Sequence, residues 1–228
     1  MYMQPIDIGV HSPRKACVFC NGPLSSLRGL KKIVEECDVL IAADGGFRYI
    51  SELGCTPQVI IGDMDSVDKN ILMAEGGSDH LHYPTEKDKT DGELAVEHAL
   101  LDHKCEQVVL VAATGGRLDH TLGNIALAAH YPGKVALAEG DGILVAVDKT
   151  EKCILRGEVG TLVSLIPYCT DNPRVWTKGL KYTLENEPMV SVTHGLSNML
   201  AETEACVTVS GGILMVYIEN HERFIRGW

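Results

Sequence analysis

The sequence predicts an α/β protein: a doubly wound, mostly parallel sheet domain over residues 1–139, followed by an antiparallel β-sandwich domain over residues 140–228. Up to about residue 138, short apolar runs alternate with stretches long enough for crossover helices, the rhythm of β-α-β units. Beyond about residue 140 the helical windows disappear, and short β-rich segments follow one another with Gly, Pro and Asn between them. Each apolar run of the first half also leads into a polar loop, many of them glycine-containing, as the strands of an open parallel sheet do on their active edge.

The expected strands of the first half are ACVFC near 16, DVLIAA near 38, QVII near 58, HLHY near 80, QVVLVAA near 107 and KVALA near 134. Between them, residues 25–36, 45–53, 91–103 and 118–131 are the expected helices. Thr90 and Glu93 have the spacing of a capping box that opens the third of these, DGELAVEHALLDH, and place Asp91 in its first turn. In the second half ILVAV, TLVSLIP, GLKYTL, ACVTVS and ILMVYIE are the β-rich segments, with Ser210, Gly211 and Gly212 as a hairpin turn between the last two.

The chain of 228 residues is 45% apolar and 22% charged, enough for a core without staples. Aromatic residues are 5% and the net charge is −11, with no basic run, so nucleic acid is excluded as a partner. The first twenty residues lack a basic flank and apolar run, and no stretch approaches the roughly 18 apolar residues of a membrane span. The expectation is a cytoplasmic protein with no membrane partner. Of the eight cysteines only Cys17 and Cys20 form a C-x-x-C, within a segment that also reads as a buried strand.

Function is carried by the loops DGG at Asp44–Gly46, GDMDS at 62–66, TEKDKTD at 85–91 and TGGRLDH at 114–120. They would gather Asp44, Asp63, Asp65, Asp88, Asp91 and Asp119 at one edge, with Lys87, Lys89 and Arg117 as counter-charge. Two carboxylates about 4 Å apart repel by roughly 4 kcal/mol at an effective dielectric near 20, so such a cluster calls for cations. Oxygen ligands without converging His or Cys favour Mg²⁺ that also contacts phosphates, and the implied substrate is a nucleotide polyphosphate. Taken singly, each loop also has a plain structural explanation: turns at Asp44, Asp63 and Asp65, a helix cap at Thr90, and capping or packing for His120. Gly115 and Gly116 offer backbone N–H groups ahead of a helix, without the spacing of a P-loop.

In this order and spacing, ADGG, IGDMDS, TEKDKTD and TGGRLDH resemble the thiamine pyrophosphokinase family. Asn21 in CNGPL resembles that family's early asparagine loop, and SLIP, TKGLKYTL and HGLSN in the second half resemble its sandwich domain. The resemblance implies an enzyme that transfers the diphosphate of ATP to the hydroxyl of thiamine, giving thiamine diphosphate and AMP. It implies a homodimer with thiamine between the α/β domain of one subunit and the sandwich of the other. Asp44, Asp63, Asp65 and Asp91 would hold Mg²⁺ and the ATP phosphates, with Arg117 among the catalytic groups. Asn21, Lys87, Asp88, Thr90, Arg117 and Asp119 would position nucleotide and thiamine, and Ser197 and Asn198 would face thiamine from the partner subunit. This chain departs from eukaryotic members in carrying Met215 near the place of a tryptophan that contacts thiamine, and from some members in carrying Lys87 where they have glutamine. The residues before Arg14 match nothing in the family and are read as an extension. Rival readings are a pyrophosphokinase for another alcohol such as a hydroxymethylpterin, a Mg²⁺-dependent nucleotide hydrolase, and a nucleotide sensor without turnover.

Overall fold

A computed structural model describes residues 13–24, 27, 29–63, 77–84, 86–150, 152–168, 173–191 and 193–219. The residues before Pro13 and Asp65, both singled out from the sequence, lie outside the described residues.

The apolar runs of the first half form β1 (Lys15–Phe19), β2 (Val39–Ala43), β3 (Val59–Gly62), β4 (Asp79–His82), β5 (Gln107–Val111) and β6 (Val135–Glu139). The described connections carry α1 (Leu30–Glu35), a 3-10 turn at Asp44–Gly46 leading into α2 (Phe47–Glu52), α3 (Asp91–Leu101) and α4 (Leu118–His130). These strands pair in parallel in the order β6-β5-β1-β2-β3-β4. β1, β2, β3 and β5 read as continuous apolar runs because both faces are covered. Leu30, Ile33, Phe47 and Ile50 of α1 and α2 join one buried cluster. Ala95, Val96, Ala99, Leu127 and Ala128 of α3 and α4 join the other. The chain winds outward from β1 through β2 and β3 to β4, then returns to add β5 on the other side of β1. The strand order therefore reverses between β1 and β5, and the crevice at their carboxyl ends is where such sheets bind ligands.

The second half contributes β7 (Gly142–Val147), β8 (Cys153–Arg156), β9 (Leu162–Tyr168), β10 (Arg174–Lys178), β11 (Glu187–Pro188), β12 (Gly195–Met199), β13 (Glu204–Ser210) and β14 (Ile213–Glu219). One layer of the expected sandwich continues the first sheet: β7 pairs antiparallel with β6, and the ten-stranded order runs β12-β9-β14-β7-β6 onward to β4. The 139/140 division thus falls in a tight turn across which the sheet is unbroken. The second layer is the four-stranded sheet β11-β10-β13-β8. Val163, Leu165, Leu214 and Val216 from the large sheet share a buried cluster with Leu155, Val175 and Val207 from the small one. GLKYTL, expected as β-rich, is a turn region holding a single bridge, Leu180 to Leu200. Gly179 explains the turn: its φ is +79°, and a Cβ there would lie 2.4 Å from the Glu204 carbonyl oxygen.

Candidate active site

At the switch point lies a cleft of about 460 Å³, lined from the ends of β1, β2 and β5 and the first turns of α3 and α4. Its walls include Asn21, Asp44, Lys87, Thr90, Asp91, Gly115, Gly116, Arg117 and His120. Residues separated by up to 104 positions in sequence, Cys20 and Asn124, thus meet because their strands end on one edge.

The DGG loop sits where it does because nothing larger than glycine fits. A Cβ on Gly45 would fall 2.4 Å from Asn21 Oδ1, and one on Gly46 would fall 1.9 Å from the Phe19 carbonyl oxygen. Asp44 is held in the left-handed region, φ +52°, and its Oδ2 accepts from Asn21 Nδ2 at 3.0 Å. Asp63 follows directly on β3, beside this loop: a Cβ on Gly62 would come within 3.3 Å of Asp44 Cα.

Thr90 caps α3, its Oγ1 accepting from the Glu93 N–H at 3.1 Å, so half of the expected capping box is formed. The cap sets Asp91 as the first helical residue. Lys87 Nζ stands 3.1 Å from Asp91 Oδ1 and also donates to the Pro84 carbonyl at 3.1 Å. The Lys87–Asp91 contact is an ion pair without hydrogen-bond geometry, and Asp91 Oδ1 is buried with no hydrogen bond. Lys89 also lines the cleft, and its ammonium donates to both Glu97 carboxylate oxygens at 2.6 Å. Asp88 is exposed and does not line the cleft.

On the far wall Ala112, just past the end of β5, has φ +53°, and Gly115 and Gly116 at φ +75° and +60° turn the chain towards α4. Arg117 Nε and Nη2 donate to Asp119 Oδ1 and Oδ2 at 3.1 and 2.6 Å. The Arg117 hydrogen bonds hold the Asp119 carboxyl down at about 2. Asp119 borders a groove between α3 and α4 that shares Thr90, His120 and Asn124 with the cleft, rather than the cleft itself.

Ser197 and Asn198 lie in β12, at the edge of the large sheet and five strands from β5, about 24 Å at roughly 4.8 Å per strand. Within one chain they do not meet the cleft. Ser197 has φ +59°, and its N–H donates to Ser164 Oγ at 3.2 Å. Asn198 is buried; its Oδ1 accepts from the N–H groups of Tyr182 and Met199, and its Nδ2 donates to the Tyr182 carbonyl. Met215 is also buried, in the cluster under α3 and α4.

Among the described residues no three His, Cys, Asp or Glu side chains converge as a ready-made metal site. Cys17 lies on β1 and Cys20 just past its end, and the two enter the clusters on opposite faces of the sheet, which denies them a shared metal. Burial pushes the Cys20 thiol up to about 12, leaving no thiolate at the cleft near neutral pH. Residues not singled out from the sequence also build the cleft. Gly22 donates its N–H to the Ala112 carbonyl at 2.9 Å, Pro23 backs Gly115 and Gly116, and Asn124 Nδ2 donates to the Ala113 carbonyl at 2.6 Å. Their signal was weak: only Gly22 and Pro23 stood in a quoted motif, and Asn124 looks like any polar helix residue.

Glycine loops beside carboxylates and cations, at the switch point of a doubly wound sheet, define an α/β protein that handles phosphorylated ligands. Comparison with known proteins gives the particular family. The chain matches the thiamin pyrophosphokinase catalytic domain over residues 30–137 and the thiamin pyrophosphokinase vitamin B1 binding domain over residues 147–214. It is 29% identical over 207 residues to the thiamine pyrophosphokinase of Bacillus subtilis (strain 168), covering 87% of this chain and 95% of that one. Its fold is similar to the crystal structure of thiamine pyrophosphokinase from Bacillus subtilis, with TM-score 0.77 at 24% identity over 91% of this chain and 99% of that one. The thiamin pyrophosphokinase from Geobacillus thermodenitrificans gives TM-score 0.75 at 26% identity, over 90% of this chain and 97% of that one. The chain belongs to the thiamin pyrophosphokinase family, whose function as a diphosphotransferase it shares.

Proposed function

We propose that the cleft binds ATP and that the chain transfers its terminal diphosphate to the hydroxyl of thiamine, giving thiamine diphosphate and AMP. The observation that carries this reading is the convergence of Asp44, Asp91, Lys87, Arg117 and the Gly115–Gly116 turn on one cleft at the sheet's switch point. The thiamine oxygen forms a bond to the β-phosphorus while the bond from that phosphorus to the α-β bridging oxygen breaks, and AMP carries that oxygen away. Such a transfer asks the protein for placement and charge neutralisation more than for covalent chemistry.

The donors present fit Mg²⁺. Asp44 and Asp91 face the cleft with oxygen only, Asp91 Oδ1 is a buried oxygen without a hydrogen bond, and this ion is usually held by one or two carboxylates plus phosphates and water. Asp44 and Asp91 would hold it, with Asp63 at the end of β3 and, by the family resemblance, Asp65, and it would supply neutralisation of phosphate charge. Lys87 and Arg117 add positive charge where the diphosphate passes, and Asn21, Thr90 and Asp88 border or flank its path. Asp91 accepts the proton of the thiamine hydroxyl. Asp119 is the weaker base, because Arg117 already holds its carboxyl at about 2. Its folded value lies below the ordinary 3.8, so the stability its ion pair contributes is complete at neutral pH and is lost as pH falls below about 3.8 through 2. Asp119→Asn therefore leaves the acid limb of the kcat profile in place, and a limb displaced by the substitution would make Asp119 the base.

A homodimer completes the reading, with Ser197 reaching thiamine in the partner subunit's cleft and Asn198, buried in its own subunit, holding the strand that presents it. Leu144, Ile166, Tyr168 and Ile213, only partly buried on the face of the large sheet beyond α4, support such a contact. Among the described residues no helix is long and apolar enough to cross a membrane.

The deciding experiment incubates the protein with ATP and Mg²⁺, with and without thiamine, and follows AMP and thiamine diphosphate by chromatography. Equal yields of the two, dependent on thiamine, are expected. Nucleotide breakdown without thiamine would indicate a hydrolase, and turnover only with another alcohol would move the acceptor assignment.

A further inference from the structure

The loop Cys20–Pro23 is the part of the cleft on which the others close. Asn21 reaches Asp44, Gly22 is tied to the end of β5, and Pro23 supports the Gly115–Gly116 turn, a Cβ on Gly115 coming within 3.0 Å of Pro23 Cγ. From the opposite side this loop is gripped by two consecutive residues of α2. Tyr49 is buried, and its hydroxyl donates to the Gly22 carbonyl at 2.7 Å. Arg48 Nη2 donates to that hydroxyl at 2.8 Å and reaches the Asn21 carbonyl at 3.5 Å. The Arg48 guanidinium lies 4.6 Å from the centre of the Tyr49 ring, which fixes both side chains against each other.

Burial alone would be satisfied by phenylalanine at position 49, so the hydroxyl has a separate task. Arg48 is exposed and does not line the cleft, so it acts through the loop. We propose that Arg48 and Tyr49 are positioning residues for the nucleotide: they fix the Asn21–Pro23 backbone so that Asp44 and the Gly115–Gly116 N–H groups face the phosphates together. The inference rests on the reading of the cleft as an ATP site. Thiamine, placed by other elements, should be insensitive to the grip.

The test compares wild type with Tyr49→Phe, Arg48→Met and Arg48→Lys, measuring ATP affinity by calorimetry with Mg²⁺ and no thiamine, then KM for each substrate and kcat. Tyr49→Phe strands a carbonyl that had one good donor, and ATP affinity is expected to fall about tenfold. Arg48→Met is expected to lower it about threefold and Arg48→Lys less, while KM for thiamine and kcat stay within about twofold. A role confined to stability would lower the melting temperature without this split. Unchanged ATP affinity in both Tyr49→Phe and Arg48→Met, or equal losses for both substrates, would overturn the positioning role while wild type still binds ATP. Wild-type protein that binds no ATP would overturn the reading of the cleft and the inference with it.

Discussion

Asp91→Asn lowers kcat by at least about a hundredfold while ATP binding persists, the loss expected when a general base is removed. The side chain keeps its shape in this substitution, so the effect isolates charge and basicity. Thr90 still caps α3 through the Glu93 N–H, and the backbone at position 91 is unchanged. What disappears is the proton acceptor, one of the two carboxylates proposed to hold Mg²⁺, and the partner of Lys87 Nζ at 3.1 Å. Loss of an acidic side chain from the first turn of a helix costs roughly 0.3–1 kcal/mol, about 1–4 °C in melting temperature for a chain of this size. A hundredfold fall in turnover beside so small a thermal shift cannot be unfolding. Steady-state turnover, ATP titration and a thermal melt on the same preparation separate these quantities, and wild-type turnover in Asp91→Asn would remove Asp91 from the mechanism. The same variant tests the shared site. Mixed one to one with Ser197→Arg, half the dimers of the proposed assembly would pair the two variants and keep one intact site in two, so about a quarter of wild-type turnover is expected to return. No recovery would place Asp91 and Ser197 in the same subunit's site.

The first half of the fold was legible because most of its strands announce themselves as apolar runs of four or five residues with glycine loops marking their ends; β4, DHLH and largely exposed, is the exception. The second half was less so. CILR at β8 and RVWTK at β10 alternate buried with more exposed residues and carry charges, which hid them, whereas GLKYTL looked like a strand but is turned by Gly179. The continuity of the sheet through β6 and β7 was also hidden, because pairing partners are set by tertiary packing and not by local pattern. At the site, charged motif residues were visible from the sequence, but the backbone contacts that place them were not. Nothing about Tyr49 in FRYISE distinguishes a core tyrosine from one whose hydroxyl holds a loop. Asn198 shows the reverse: a residue assigned to thiamine has its amide engaged by the Tyr182 and Met199 backbone within its own subunit.

Gly46→Ala is expected to be the most damaging single-methyl change at the cleft. Gly46 has φ −59° and ψ −21°, so alanine suits its backbone conformation and strain there is not the issue. The obstacle is the added Cβ, 1.9 Å from the Phe19 carbonyl oxygen and 2.9 Å from that of Cys20. Both oxygens belong to backbone at the end of β1 and cannot rotate aside, so α2 or β1 must move. Overpacking of this kind costs about 3 kcal/mol or more, equivalent to a fall of about 6–12 °C in melting temperature. Movement of the 3-10 turn would also pull Asp44 from Asn21, so activity is lost at temperatures where the variant remains folded. Gly123→Ala provides the contrast, since it lies inside α4 with nothing within 4 Å of the added carbon; there alanine should stabilise by about 0.5–1 kcal/mol. Thermal melts of the two variants, with turnover measured well below each transition, check both signs. A Gly46→Ala variant that melts with wild type and retains turnover would mean that the DGG turn does not need its close approach to β1, and that something other than this contact places Asp44 at the cleft.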